Sequence, residues 1–270
     1  MKLSYVPTVV KSLKFAIIPK RWLPFFLLDL CFGIFTLSFL FSVLPSLSGI
    51  LSQNNPLAFA SLLTIATPVI VGMIAWILVK LWISGAVIHQ SYREKEFKKS
   101  WRVSLKKYPY LLVAMILITL ITTAGGIIPL IGWIITIILS LIFYFVYQGI
   151  LINNLGPLEA IGNSYKIFRR NIAEVFIVWL IITIIVLIVN SLTSLPATFM
   201  LSHTFDTLSA VYDTENITAI SEVLSVVKYN TANFAIAGII MLLGLAFSQT
   251  FSLKAQTEFY LQLRKRKINP

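Results

Sequence analysis

Apolar residues run along this chain in long, nearly unbroken stretches separated by short polar segments. An α-helix rises 1.5 Å per residue, so about 20 mostly apolar residues carry it across a hydrocarbon layer of about 30 Å. Six stretches approach or exceed that length: residues 22–44, 57–89, 109–124, 127–152, 172–195 and 234–253. The second is longer than a span requires, which predicts tilt or extension beyond the bilayer. The third is short, but Gly125, Gly126 and Pro129 supply a turn that closes a tight hairpin with the fourth. The pattern predicts an all-α integral membrane protein, one polytopic domain over residues 1–270 with a single sizeable outer loop at 196–233.

A second pattern precedes the first, third and fifth spans. Each is led by a short basic, amphipathic segment, containing Ser12-Leu13-Lys14, Ser104-Leu105-Lys106 and Ser164-Tyr165-Lys166 respectively. In the middle one Phe97, Trp101, Leu105 and Tyr108 recur at helical spacing while Lys98, Lys99, Arg102 and Lys106 fall on other faces, the pattern of a helix lying in the interface. The even spans echo one another too: Gly85-Ala86-Val87-Ile88 leads into His89-Gln90, Gly149-Ile150-Leu151-Ile152 into Asn153-Asn154, and Ala255-Gln256 holds a comparable place. Together these predict a unit of interfacial helix plus transmembrane hairpin used three times. In the outer loop, Ile217, Ile220, Val223, Leu224 and Val227 form a helical apolar stripe, and Asn216-Ile217-Thr218 is a glycosylation sequon.

Composition and charge sharpen this picture. Hydrophobic residues make up 58% of the chain, charged ones 12%, and the mean hydropathy is +0.88; an ordinary soluble domain carries roughly 25% charged residues, so a water-soluble core is excluded. The net charge of +12 does not indicate nucleic acid as a partner, because the basic residues occupy short segments between apolar runs. They set orientation instead. One side collects Lys2, Lys11, Lys14, Lys20, Arg21, the cluster from Arg93 to Lys107, Lys166, Arg169, Arg170, Lys254 and Arg264 to Lys267; the other holds only Lys228 beside Asp206, Asp213, Glu215 and Glu222. Basic residues in short loops remain cytoplasmic, so both termini are expected in the cytoplasm, with the chain in the cell membrane. The first span lacks a small-residue cleavage site and is expected to persist in the mature protein. Cys31 is the one cysteine, which rules out an intrachain disulfide.

Two further strings carry a family likeness. Gly156-Pro157-Leu158-Glu159-Ala160-Ile161 with Ser164-Tyr165-Lys166 precedes the fifth span, and Gln256-Thr257-Glu258-Phe259-Tyr260-Leu261-Gln262-Leu263-Arg264 closes the sixth. The chain resembles the six-span membrane domains of uncharacterised archaeal proteins and of some bacterial glycerophosphodiester phosphodiesterases, in which the fifth span follows Glu-Ala-x-x-x-Ser and the chain ends on Thr-x-x-Tyr-x-x-x-Arg. The resemblance implies a membrane domain without the catalytic barrel of the fused enzymes.

Candidate chemistry is sparse. His89 and His203 fall at opposite ends of the spans and cannot share a site, no phosphate-binding or nucleophile motif occurs, and neither a catalytic group nor a metal or cofactor is expected. Glu159 and Glu174 are the acids nearest an interface at span five, and local capping or pairing accounts for both, Glu174 standing four residues from Arg170. The sharpest intramembrane feature is Asp29 with Lys80. Helical rise places Asp29 about 10 Å and Lys80 about 13 Å from the cytoplasmic surface, so the two are level and an ion pair between spans one and two is expected. It reads either as internal structure, with Lys80 alternatively snorkelling to the surface, or as part of a substrate or proton path. Lys98, Lys99, Arg102, Lys106, Lys107, Arg169 and Arg170 are candidates for anionic lipid head groups. Gln148, Asn190 and Gln249 suit interhelical hydrogen bonds. The expected role is therefore non-enzymatic, in membrane organisation, lipid association or anchoring of a protein partner, with a small transporter or permease component as the alternative; a transporter requires polar residues converging on a cavity, a scaffold requires tight apolar packing.

Overall fold

The computed structural model describes residues 3–51, 57–129, 131–209 and 230–265. Among these, the helices are α1 (Tyr5–Ala16), α2 (Pro19–Leu51), α3 (Leu57–Tyr92), α4 (Phe97–Gly126), α5 (Gly132–Ile142), α6 (Val146–Asn153), α7 (Pro157–Arg170), α8 (Ile172–Ser209) and α9 (Thr231–Lys265), and no strand is present. Six segments are long and apolar enough to cross a membrane, carried by α2, α3, α4, α5 with α6, α8 and α9. The chain is a multi-pass, all-α membrane protein.

The helices outrun the apolar stretches. α8 continues through Pro196 to Ser209 and α9 begins at Thr231, so the first part of the segment assigned to the outer loop 196–233 is helical. The stripe from Ile217 to Val227 and the sequon at Asn216 lie outside the described residues. The segment before the third span is not a separate interfacial helix: α4 runs unbroken from Phe97 through Pro109 to Gly126. Proline there forfeits one backbone bond, to the carbonyl of Leu105, a residue on the exposed side that does not need a protein partner. The segments before spans one and five are separate helices, α1 and α7, each ending in a short break before α2 and α8.

The fourth span departs in the other direction. Expected as one run over 127–152, it is two helices broken at residues 143–145. Within a bilayer a break must satisfy its freed backbone groups from protein. Ser164 of α7 does this, its Oγ donating to the carbonyl of Ile142 at 2.6 Å and accepting from the amide of Phe145 at 3.1 Å. The hairpin between α4 and α5 closes one step later than expected: Gly125 and Gly126 are the last residues of α4, where they let α5 approach, and the turn follows them, with the amide of Ile127 on the carbonyl of Thr123 and that of Gly132 on the carbonyl of Ile128.

Burial identifies the centre of the bundle. In the most apolar window of the fourth span 44% of residues are buried and in that of the sixth 33%, against 11% for the first and third, whose outer faces carry leucine, isoleucine and valine toward lipid. α9 packs on α8, α1, α2 and α3.

The three echoed serines are all wholly buried. Ser104 Oγ donates to the carbonyl of Trp82 at 2.7 Å, and Ser164 Oγ to that of Ile142, each acceptor 22 residues earlier in the chain. Ser12 bonds within α1, to the carbonyl of Thr8 at 2.8 Å, while α1 lies on α9. The lead-in segments of spans three and five therefore dock on the even span that precedes them, and α1 docks mainly on the sixth. The serine pairs relate the second and third copies by a shift of 60 residues, one helical turn away from the shift implied by matching Gly85 to Gly149. The docking face of α4 is also corrected: Ser100, Ser104, Leu111 and Ala114 are buried, while Leu105 is exposed. Small residues win because they let the helix axes approach; a Cβ on Gly85 of α3 would stand 2.9 Å from Leu111 Cδ1.

Candidate functional site

Two polar sites interrupt this apolar bundle, one within the spans and one at its basic end. The first is built where α2 crosses α3. Lys80 Nζ stands 3.4 Å from Asp29 Oδ1, and the indole N–H of Trp76, one turn before Lys80, donates to the same oxygen at 2.8 Å. The ammonium also lies 4.1 Å from the centre of the Trp76 ring, and that ring stacks on Phe32. Asp29 Oδ2 is buried without a partner. The pair is asymmetric in access: the Asp29 side chain is 7% exposed and that of Lys80 23%.

Lys80 lines an open cavity of about 510 Å³ between α3, α4, α6, α8 and α9. Its walls are mainly apolar, with Lys80, Ser84, Asn190, Ser248, Gln249 and Ser252 as the polar points. Ser248 Oγ donates to Asn190 Oδ1 at 2.7 Å, joining α9 to α8, while Gln249 Oε1 is buried and unpartnered. A neighbouring cavity of about 470 Å³ between α8 and α9 shares Val186, Asn190 and Leu245 with the first. Gln148 lies elsewhere, donating to Gln256 Oε1 of α9 at 3.2 Å.

The second site centres on Lys254, which the sequence presents only as one more basic residue near the end of a span. Its side chain has no exposure, and its ammonium meets three acceptors: the carbonyl of Ser91 at 2.8 Å, Glu94 Oε1 at 2.6 Å and Glu258 Oε1 at 2.6 Å. Glu258 in turn holds Lys11 of α1 at 2.8 Å. The sequence signal is the helical face Phe251, Lys254, Ala255 and Glu258, a lysine set in an apolar stripe with an acid one turn on; the first three are fully buried. Close by, His89 Nδ1 and Ser100 Oγ are 2.9 Å apart.

The candidate head-group residues are arranged differently. Lys98, Lys99, Arg102 and Lys106 are exposed on the first turns of α4, Lys107 is half-buried with its ammonium 5.0 Å from the Tyr110 ring centre, and Arg169 and Arg170 are exposed at the end of α7. Lys99 binds Glu96 at 3.0 Å, and that hydrogen bond holds the Glu96 carboxyl below its ordinary range. These residues form a solvated basic rim rather than one enclosed site.

The residues that carry the family likeness have structural partners. Glu159 Oε2 accepts from the amide of Gly156 at 3.1 Å and closes the first turn of α7. Tyr260 OH accepts from Asn153 and from Asn163, tying α9 to α6 and α7. Comparison of the chain with protein-family models, with curated proteins and with solved structures finds no match in any of the three.

Proposed function

We propose that this is a non-enzymatic membrane domain that associates with lipid, holding an amphiphile in the cavity beside Lys80. The observation that carries the reading is a partly exposed ammonium on the wall of an otherwise mainly apolar cavity of about 510 Å³. That volume falls in the range of small-molecule sites, roughly 300–1,000 Å³, and its chemistry suits an apolar tail with an anionic or strongly polar head at Lys80. Tight apolar packing throughout would have left no such space. The basic rim of α4 and α7 supports the same association from the surface, through attraction of about 1 kcal/mol per basic residue for anionic lipid. The asymmetry of basic residues supports a cell membrane location with both termini cytoplasmic. Kinship with the six-span domains of the phosphodiesterase-linked family is part of the proposal, supported by the span number and by the partners of Glu159, Ser164 and Tyr260.

A small transporter is the second reading, favoured by the two adjoining cavities along α8 and α9 and their shared Asn190. One set of proteins tests both. Native mass spectrometry of the purified chain is expected to show a retained amphiphile that falls at least tenfold in Lys80→Leu and persists in Lys80→Arg. Equal retention in Lys80→Leu rules out the cavity reading. Flux of a co-purifying amphiphile across reconstituted vesicles, abolished by Lys80→Leu, selects transport over static association.

A further inference from the structure

Arg21, in the first turn of α2, is only 6% exposed, and its guanidinium carbon lies 3.8 Å from the centre of the Phe15 ring. Its Nε and Nη1 have no acceptor, and no salt bridge reaches it among the described residues. A guanidinium keeps its proton in any protein environment, so burial must be met by counter-charge or by solvent held inside the structure. The adjacent groups do not supply that charge. Lys254 approaches the same Phe15 ring, at 5.0 Å, and adds a second cation. Glu94 is within electrostatic reach of Arg21 but binds Lys254, and Glu258 is shared between Lys254 and Lys11. Three cations therefore face two carboxylates, and the cluster keeps one positive charge in excess. The positive end of the α2 dipole adds to it. At the same end, Gln90 is 1% exposed with both side-chain amide atoms unpartnered, one residue before the Ser91 carbonyl that Lys254 uses.

We propose that Arg21 marks a binding site for a phosphate-type oxyanion at the basic end of the bundle. Its oxygens accept the N–H groups that no protein atom takes, and its charge balances the excess of the cluster. Two sources share this chemistry, inorganic phosphate and the phosphodiester of an anionic lipid; the first turn of a span stands at head-group depth, and because the Arg21 nitrogens are buried, either anion reaches them only by displacing the side chains that cover them. The site is separate from the cavity at Lys80, and its test does not depend on that reading.

The full chain in nanodiscs of phosphatidylcholine, with or without phosphatidylglycerol, is titrated with inorganic phosphate against chloride at matched ionic strength. Thermal unfolding and native mass spectrometry report binding. Protection by phosphate in phosphatidylcholine alone identifies the free anion; protection only by phosphatidylglycerol identifies the lipid. In either case Arg21→Gln weakens binding at least tenfold and the exposed-site variant Lys95→Gln does not. The proposal fails if neither probe protects or binds the unaltered chain, a result that needs no variant to fold. It fails equally if Arg21→Gln binds as wild type, or if Lys95→Gln loses as much as Arg21→Gln.

Discussion

At Lys254, three acceptors surround one ammonium that water does not reach, and the cost of removing a member depends on which side is left behind. Glu258→Ala strips one of two carboxylates from a wholly buried cation and releases Lys11 as well; Glu94 and the Ser91 carbonyl remain, so the loss is expected to cost about 2–3 kcal/mol. Lys254→Met removes the buried charge itself, leaving Glu258 with Lys11 and Glu94 with its 45% exposed side chain, and is expected to cost less than about 2 kcal/mol. Unfolding of both variants in one detergent checks the order; a more damaged Lys254→Met would show that the lysine stem, not its charge, supports the end of α9. Asp29 and Lys80 are legible in the sequence because depth along two antiparallel spans can be counted, and a charge at depth is conspicuous. Lys254 is not, because a basic residue at the end of a span is what topology already demands. Arg21 is hidden for the same reason.

Among the elements, the buried serines separate two kinds of contact that look alike in sequence. Ser104 bonds a carbonyl of the continuous helix α3, whereas Ser164 serves both a carbonyl and an amide at the break between α5 and α6. Ser104→Ala is expected to cost about 0.5–1.5 kcal/mol, and Ser164→Ala about 1–3 kcal/mol because it leaves buried backbone groups unmade. Equal losses in reversible unfolding would mean that the break finds other partners. The shared Ser-x-Lys strings make the three docking sites legible, but their register and direction are not, since three residues do not say whether a segment folds onto the span after it or the span before it. The break itself is illegible: Phe143-Tyr144-Phe145 contains neither glycine nor proline, and the distant Ser164 supports the opened turn beside the backbone bonds made by the amides of Phe143, Tyr144 and Val146. The continuity of α4 through Pro109 is likewise decided by exposure, which the string of residues does not display.

For the molecule as a whole, six spans can be read from hydropathy alone, but the way the bundle closes cannot. α1 is fastened to the far end of the chain by Lys11 on Glu258, by Ser4 on Gln262 at 3.1 Å, and by Gln262 on Thr8 at 2.7 Å. Removing residues 1–16 is expected to lower Tm by roughly 5–10 °C, the equivalent of a few kcal/mol at this size, and α1 added as a peptide is expected to restore it. A shortened chain with an unchanged melting curve would make α1 a surface ornament. The fastening also has a timetable. Thr8 and Gln262 are separated by 254 residues, and at about 5–20 residues per second a ribosome needs roughly 13–50 s to traverse them. During that interval α1 has been made and its dock has not, so its apolar face must rest on lipid or on a chaperone while five spans are threaded into the bilayer. A chain stalled before α9 keeps that helix without its dock, with Ala16, buried in the finished fold among Phe251, Ala255 and Phe259, exposed to the machinery that removes unfinished membrane proteins.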